Sequence, residues 1–287
     1  MNRPFYAFTY DWRRDNYETA SQLRTFARGV SLAHNKSKVQ LLGYSNGAGL
    51  SLALLNAEPG LVHSAVFVSG AYSPGLYQAS RMGVGESFGL TNTRWFPKET
   101  YWTSSLPYSF LSLAPGDRSW PGLPRAFRDS VTGADVALDL SVAQTWLDYG
   151  LLPSWAAGDA RLPALQNILL RARMYRQLLQ PNASIAYPPT AVVTSVKGEM
   201  TGGSGNYTVD VVRRSIDWTP TGASPTGDGS VCTQCAMPPY PVPPSRVFFA
   251  STGTSHRLMM QDMVAIKAAM DSVGPYPSAP IPATFAA

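Results

Sequence analysis

The chain has 287 residues, 45% hydrophobic and only 14% charged, with 24 Gly and 24 Pro, which fits a folded core joined by long irregular connections. Lys and Arg number 23 against 18 Asp and Glu, but no Lys/Arg run exceeds two residues (Arg13-Arg14, Arg213-Arg214). That pattern excludes the clustered basic stripe of a nucleic-acid footprint and leaves only a mild attraction to anionic lipid head groups. No apolar stretch reaches the roughly 20 residues of a bilayer-spanning helix, and Met1-Asn2-Arg3-Pro4-Phe5-Tyr6 has no signal-peptide core, so the compartment is not legible.

In chain order, aromatic-rich Pro4–Tyr10 reads as a short strand and Asp11–Asn16 as a loop. Tyr17–Ala33 places Leu23, Phe26, Ala27, Val30 and Leu32 at helical spacing. Val39–Leu42 is an apolar strand, Gly49–Asn56 a buried helix closed by Glu58-Pro59-Gly60, and Ala65–Gly70 a second strand. Its lack of alternation predicts a parallel sheet covered on both faces. The β-α-β-α-β order up to Gly70 predicts a doubly wound α/β fold.

From Ala71 to Gly158 the composition changes. Trp95, Phe96, Trp102, Tyr108, Phe110, Trp120, Phe127, Trp146, Tyr149 and Trp155 lie among many Gly and Pro. Disordered segments are poor in aromatics, so residues 71–158 are expected to form an ordered cap inserted over the sheet's carboxyl edge. Leu162–Leu179 predicts a helix, Thr190–Val196 a return to the sheet, Val209–Trp218 an extra strand, Arg246–Ala250 the last strand and Arg257–Val273 the last helix. The expected organisation is a core of residues 1–70 and 159–273, the cap, and a loose tail at 274–287.

The chemistry centres on Gly43-Tyr44-Ser45-Asn46-Gly47, between the strand Val39–Leu42 and a helix. Strand, Gly-x-Ser-x-Gly, helix is the nucleophile elbow of α/β-hydrolases: a turn sharp enough to lift a serine hydroxyl above the sheet edge. Such a turn forces strand and helix backbones together, which predicts that Gly43, Gly47, Ala48 and Gly49 must be small.

The serine needs a base, and the base an acid to orient it. His34 and His63 both precede strands and fall on the amino edge, whereas sites of open parallel sheets form at the carboxyl edge. His256 follows the last strand, where the order Ser, Asp, His places the base. The acid is sought among Glu199, Asp210, Asp217 and Asp228. Flanking glycines in Gly227-Asp228-Gly229 let a loop present the carboxylate, which puts Asp228 slightly ahead of Asp217. The backbone N–H of Asn46 is the expected first oxyanion donor. No loop for the second is identifiable. Cys232 and Cys235 lack nearby further metal ligands and read as two loop thiols or a small local disulfide. No metal or organic cofactor is implied, since a serine triad needs neither.

Four segments, in order, resemble the lecithin–cholesterol acyltransferase family. They are Tyr10-Asp11-Trp12-Arg13, the cap segment Ser104–Leu111, the acid loop Gly227-Asp228-Gly229-Ser230-Val231, and His256-Arg257-Leu258-Met259. The match spans about Phe5 to Val273 and raises Asp228 well above Asp217. Two departures stand out: Tyr44-Ser45-Asn46-Gly47 replaces the family's His-Ser-Met-Gly, and the family's strands before Tyr-Asp-Trp-Arg, one bearing the second oxyanion donor, have no counterpart. The chain is therefore expected to be the carboxyl-terminal portion of a longer protein or the product of a mis-started gene model. Asp11 and Arg13 are expected to form a structural ion pair shaping the active-site wall, with Trp12 beneath the cap.

The resemblance implies acyl transfer from a phospholipid or acylglycerol through an acyl-enzyme. Water as acceptor makes a lipase or phospholipase; a sterol or acylglycerol hydroxyl makes an acyltransferase. A peripheral membrane or lipoprotein-like surface is the expected location of substrate. The alternatives are a non-catalytic lipid-binding fragment, motivated by the absent oxyanion strand, and a serine esterase acting on soluble esters.

Overall fold

A computed structural model describes residues 4–35, 37–72, 127–136, 138–152, 158–196, 198–199, 206–221, 226–251 and 255–274. The elements run α1 (Asn16–Ala33), β1 (Val39–Tyr44), α2 (Asn46–Ala57), β2 (Val62–Val68), β3 (Phe127–Asp129), β4 (Asp135–Val136), α3 (Ala143–Asp148), α4 (Leu162–Leu178), β5 (Thr190–Thr194), β6 (Gly198–Glu199), β7 (Asn206–Asp210), β8 (Ser215–Thr221), β9 (Thr226–Gly227), β10 (Val247–Phe249) and α5 (Met263–Ser272). Among the described residues no helix is long and apolar enough to cross a membrane.

The main sheet has the order β1-β2-β5-β10 with every neighbour parallel. Its register pairs Leu42 with Val66, Val66 with Ala191 and Val193 with Phe248. The inner strands β2 and β5 are buried almost throughout, which explains their apolar runs Ala65–Val68 and Ala191–Val193. On one face pack α1 and α2, with Leu23, Leu50 and Leu54 against Phe67. On the other, Val66, Val68 and Val193 meet Met259 and the α5 residues Ile266 and Ala269. Helices on both faces of a parallel sheet are the doubly wound arrangement. Helix α2 is apolar on every side and correspondingly buried: Leu50, Leu52, Leu54 and Leu55 are each no more than 1% exposed, and burial of each stabilises the fold by roughly 1.5–3 kcal/mol.

A second sheet, β4-β3-β7-β8, draws on two distant stretches, 127–136 and 206–221. Its core joins Phe127, Trp146 and Val209 to Leu165 and Leu169 on the first half of α4. The second half of that helix turns Tyr175 into the main core, so α4 ties the two sheets together. Residues 206–221, grouped by the sequence with the core, thus pair with strands of the expected cap. Residues 73–126, with most of the cap and its Ser104–Leu111 segment, lie outside the described residues, as do Trp155 and the tail beyond Gly274.

Two other expectations differ. Pro4–Tyr10 forms no strand. Its aromatics instead dock sideways: Phe8 packs on Phe26 and Tyr10, and the Tyr6 hydroxyl lies 2.7 Å from His34 Nε2. Alternation of large side chains suits docking onto a helix as well as it suits a strand. Val209–Trp218 is not one strand but parts of a hairpin, turning at 211–214 with Arg214 at φ 53°. Val211-Val212-Arg213-Arg214 carries no Gly, Pro or Asn, so the turn gives no sequence signal.

Candidate active site

Ser45 sits between β1 and α2 at φ 52°, a left-handed conformation that costs a non-glycine residue on the order of 1–3 kcal/mol. The neighbouring strand holds it there. Its N–H donates to Val68 O (3.0 Å) and its C=O accepts from Ala71 N (3.1 Å). A Cβ on Gly43 would lie 2.7 Å from both Ala48 Cα and Gly47 O, so glycine at 43 is what lets strand and helix approach. Gly47 departs from the expectation: a Cβ there meets nothing within 4 Å among the described residues. The crowding is at Gly43 on the strand side and at Gly49 in α2, where a Cβ would lie 2.6 Å from the Tyr175 hydroxyl.

The carboxylate comes from an irregular loop. β9 pairs with β6, then Asp228 N–H donates to Val231 O (3.1 Å) and Gly229 turns the chain at φ 91°. A Cβ on Gly227 would fall 2.3 Å from Val231 O. Cys232 and Cys235 form a disulfide directly after this loop. Of the two readings open for that pair, the thiols are bonded. Val231, both cysteines and Ala236 form a small buried cluster against Ala71.

His256 follows the last strand of the sheet and is held from several sides. Its backbone N–H donates to Asp228 O (2.7 Å), and its carbonyl accepts from the Tyr44 hydroxyl (2.5 Å). The Tyr44 ring stacks on the imidazole at 5.1 Å between centroids. Nδ1 lies 2.7 Å from Asp228 Oδ2 and Nε2 lies 2.8 Å from Ser45 Oγ. Ser45, His256 and Asp228 are therefore brought into one hydrogen-bonded path. With the ring proton on Nδ1, facing the carboxylate, Nε2 accepts from the serine hydroxyl. Such an arrangement can take a proton from an attacking alcohol and return it to a leaving group.

Asp228 is 2% exposed. Burial pushes its carboxyl up, but the hydrogen bond and charge of His256, the Ser69 hydroxyl and the Val231 N–H outweigh burial and hold it below the usual carboxylate range. Burial, aided by the nearby Asp228 charge, pushes the Tyr44 phenol up to about 12, so it stays a hydroxyl donor.

The N–H of Asn46 is the first of α2, and the first N–H groups of a helix have no intrahelical acceptor. Its side chain exchanges amide hydrogen bonds with buried Asn16 (2.7 and 3.1 Å) and donates to the Tyr10 hydroxyl (3.0 Å). The Asn that departs from the resembling family's Met thus fastens residues 10–16 to the elbow. Asp11 and Arg13 form a forked ion pair (2.8 and 2.7 Å) on an exposed loop, which holds the Asp11 carboxyl at about 2. Neither shares a hydrogen bond or ion pair with Ser45, His256 or Asp228 among the described residues. Trp12 is 47% exposed; the part of the cap expected over it lies outside the described residues. Of the other acid candidates, Asp210 pairs with Arg213 and Asp217 bonds the Thr219 N–H, both away from the serine. His34 caps the end of α1 and His63 lies on the amino end of β2.

Sequence reasoning missed Ser69. It follows β2 at φ 47°, is 1% exposed, and its hydroxyl donates to Asp228 Oδ2. A Ser-Gly pair after a strand reads only as a turn. Among the described residues no group of three or more His, Cys, Asp or Glu side chains is placed to hold a metal ion.

No family model and no curated protein matches the chain. A chain of the solved Tle4–Tli4 complex aligns over 91% of this chain, at 15% identity and a TM-score of 0.65. The fold is of the α/β-hydrolase type. This chain spans 66% of the length of that one, just under two thirds. A candidate lipase (lip1) from Acinetobacter baumannii AYE aligns over 93% of this chain and 72% of that one, at 13% identity and a TM-score of 0.28, too low to add to the α/β-hydrolase comparison.

Proposed function

We propose that the chain catalyses serine-dependent acyl transfer from a lipid ester, with Ser45 as nucleophile, His256 as general base and acid, and Asp228 as the carboxylate that orients it. The observation that carries this reading is the continuous path Ser45 Oγ–His256 Nε2–His256 Nδ1–Asp228 Oδ2, with links of 2.8 and 2.7 Å. Ser45 Oγ attacks the ester carbonyl while His256 Nε2 takes its proton. The new oxyanion faces the Asn46 N–H, a contribution of roughly 2.7–4 kcal/mol to the transition state. The alcohol leaves with the proton from Nε2. Water or a second alcohol then gives its proton to Nε2 and attacks the acyl-serine; the acyl–Oγ bond breaks, Ser45 Oγ takes the proton back from Nε2, and the acid or the new ester is freed.

Lipid as substrate is supported by the ordered resemblance to the lecithin–cholesterol acyltransferase family, of which Gly227–Val231 and His256–Met259 are the segments that carry Asp228 and His256 of that path. On this reading Asp11, Trp12 and Arg13 belong to the wall of the acyl-chain site.

Intact mass after fluorophosphonate treatment tests the nucleophile. One adduct is expected, absent in Ser45→Ala, with ester turnover lowered by on the order of 10⁴-fold or more. Turnover of phosphatidylcholine vesicles that survives Ser45→Ala overturns the assignment. Vesicles with and without sterol then separate free fatty acid from sterol ester as product. A preference for short soluble esters, or lipid binding without any turnover, overturns the lipid-ester reading.

A further inference from the structure

The Asp228 carboxylate is more heavily engaged than orienting a histidine requires. Oδ1 accepts from Ser230 N–H (3.0 Å) and Val231 N–H (2.8 Å), both within its own loop. Oδ2 accepts from His256 Nδ1 (2.7 Å) and from the Ser69 hydroxyl. Of these donors Ser69 alone directly follows a strand of the main sheet, and its Oγ also lies 3.2 Å from His256 Nδ1.

Building this contact costs backbone strain. Ser69 is a non-glycine residue at φ 47°, and its N–H donates to Val193 O (2.8 Å), which locks the residue between β2 and β5. The next residues return to the nucleophile, where Ala71 N–H bonds Ser45 O. One short segment, Ser69–Ala71, therefore touches the nucleophile through its backbone and the acid through a side chain. A glycine would adopt this turn at less cost; only the hydroxyl accounts for serine.

The geometry points to Ser69 as a positioning residue of the proposed reaction, fixing the Asp228 carboxylate so that Oδ2 faces His256 Nδ1. The inference rests on the assignment of Ser45, His256 and Asp228 above. The titratable groups facing the carboxylate are His256 from the last loop and the Tyr44 phenol from the end of β1. A hydroxyl donating to the Asp228 carboxylate spreads its charge and makes it a weaker proton acceptor. Removing that donor lets Asp228 keep a proton to higher pH and frees the carboxylate to turn.

The test is the rate of fluorophosphonate labelling against pH in the wild type, Ser69→Ala and Ser69→Gly, each also made with Asp228→Asn. Ser69→Gly accepts the left-handed backbone and keeps the bond to Val193 O, so it separates hydroxyl loss from backbone strain. Both variants are expected to label on the order of ten- to a hundredfold more slowly, since a hydrogen bond to a charged group is lost. The low-pH side of the profile should move to higher pH, and the low-field proton resonance of His256 Nδ1–H should shift. With Asp228→Asn in place, the Ser69 substitutions should add no further loss. Unchanged rate and profile overturn the inference, as does an equal loss in the Asp228→Asn background, or loss of fold in both variants. A wild type that never labels overturns the catalytic assignment and this inference together; a wild type that labels with silent Ser69 variants overturns this inference alone.

Discussion

The nucleophile and the acid–base pair are held by opposite means. Ser45 is fixed by regular structure: a parallel strand, an apolar helix, and a backbone approach so close that position 43 admits no Cβ without movement. Asp228 stands on an irregular loop and His256 at the start of a short 3-10 helix, joined by specific polar links such as His256 N–H to Asp228 O and the Tyr44 hydroxyl to His256 O. Van der Waals exclusion is non-directional and cooperative with the fold. Hydrogen bonds are directional, and a buried one left unmade costs about 1–3 kcal/mol. The elbow should therefore fail through stability and placement together, whereas the loops should lose activity one bond at a time in a protein that stays folded.

The largest expected effect separates the two regions most cleanly. Asp228→Asn keeps the shape of the side chain and the main core, but its amide can offer a donor to Nδ1 and favour the wrong imidazole tautomer. Turnover of a phospholipid ester should fall by roughly 10⁴-fold with an almost unchanged thermal midpoint. Asp217→Asn, on the exposed face of β8, is the control and should leave turnover intact. Equal losses in the two would remove the basis for choosing the Gly227–Gly229 loop. Gly43→Ala is next. Its Cβ would press on the backbone of Ala48 and Gly47, and overpacking of this kind typically costs about 1–3 kcal/mol. Thermal midpoint and labelling rate should fall together; a drop in rate alone would mean that the elbow is held by something other than close packing.

The same contrast decides what could be read from the sequence. Steric order leaves local patterns: the unbroken apolar runs of β2 and β5, the small residues around Ser45, and the apolar faces of α1 and α4 were all legible, and with them the parallel doubly wound sheet. The Gly227–Gly229 loop and the position of His256 were legible from chain order and resemblance. Polar links between distant residues leave no such pattern. Nothing about Ser69 beside Gly70 marks it as a partner of a residue 159 positions away, and Tyr44 showed only as a departure from a motif. Asn46 was expected to matter through its backbone, whereas its side chain also pins residues 10–16. The second sheet was hidden because its strands are short and come from 127–136 and 206–221, and because the turn between β7 and β8 is built from valines and arginines. Pro4–Tyr10 misled because aromatic alternation satisfies docking on α1 as readily as strand pairing.

Tyr44→Phe sharpens the comparison on the loop side. It keeps the ring on the imidazole face but deletes the hydroxyl that donates to His256 O at 2.5 Å. A lost neutral hydrogen bond of about 1 kcal/mol corresponds to a roughly fivefold slower labelling rate, with KM for a short ester unchanged because Tyr44 acts on the histidine backbone. Tyr44→Leu, which also loses the stack, should be slower still. If the two behave alike, the ring contributes nothing.

The smallest expected effect lies where loop and helix meet. Asp262 caps α5: Oδ1 accepts from Ala265 N–H (3.0 Å), while Oδ2 accepts from Ser251 N–H (2.6 Å) on the chain leading to His256. Asp262→Ala removes a cap worth about 1 kcal/mol, and the thermal midpoint at neutral pH should fall accordingly. The backbone donors Ser251 and Ala265 hold the carboxyl below the usual range, so the native state binds fewer protons here than the unfolded chain at acidic pH. That contribution is fully present above the unfolded carboxylate pKa of about 3.9 and is lost as pH falls through the lower folded value. The deficit of Asp262→Ala should thus be full at pH 7 and shrink in acid, as measured by urea unfolding at a series of pH values. A deficit that stays constant into strong acid would show that the cap acts through packing rather than through the charged carboxylate. The histidine side of the site would then share the elbow's mode of support.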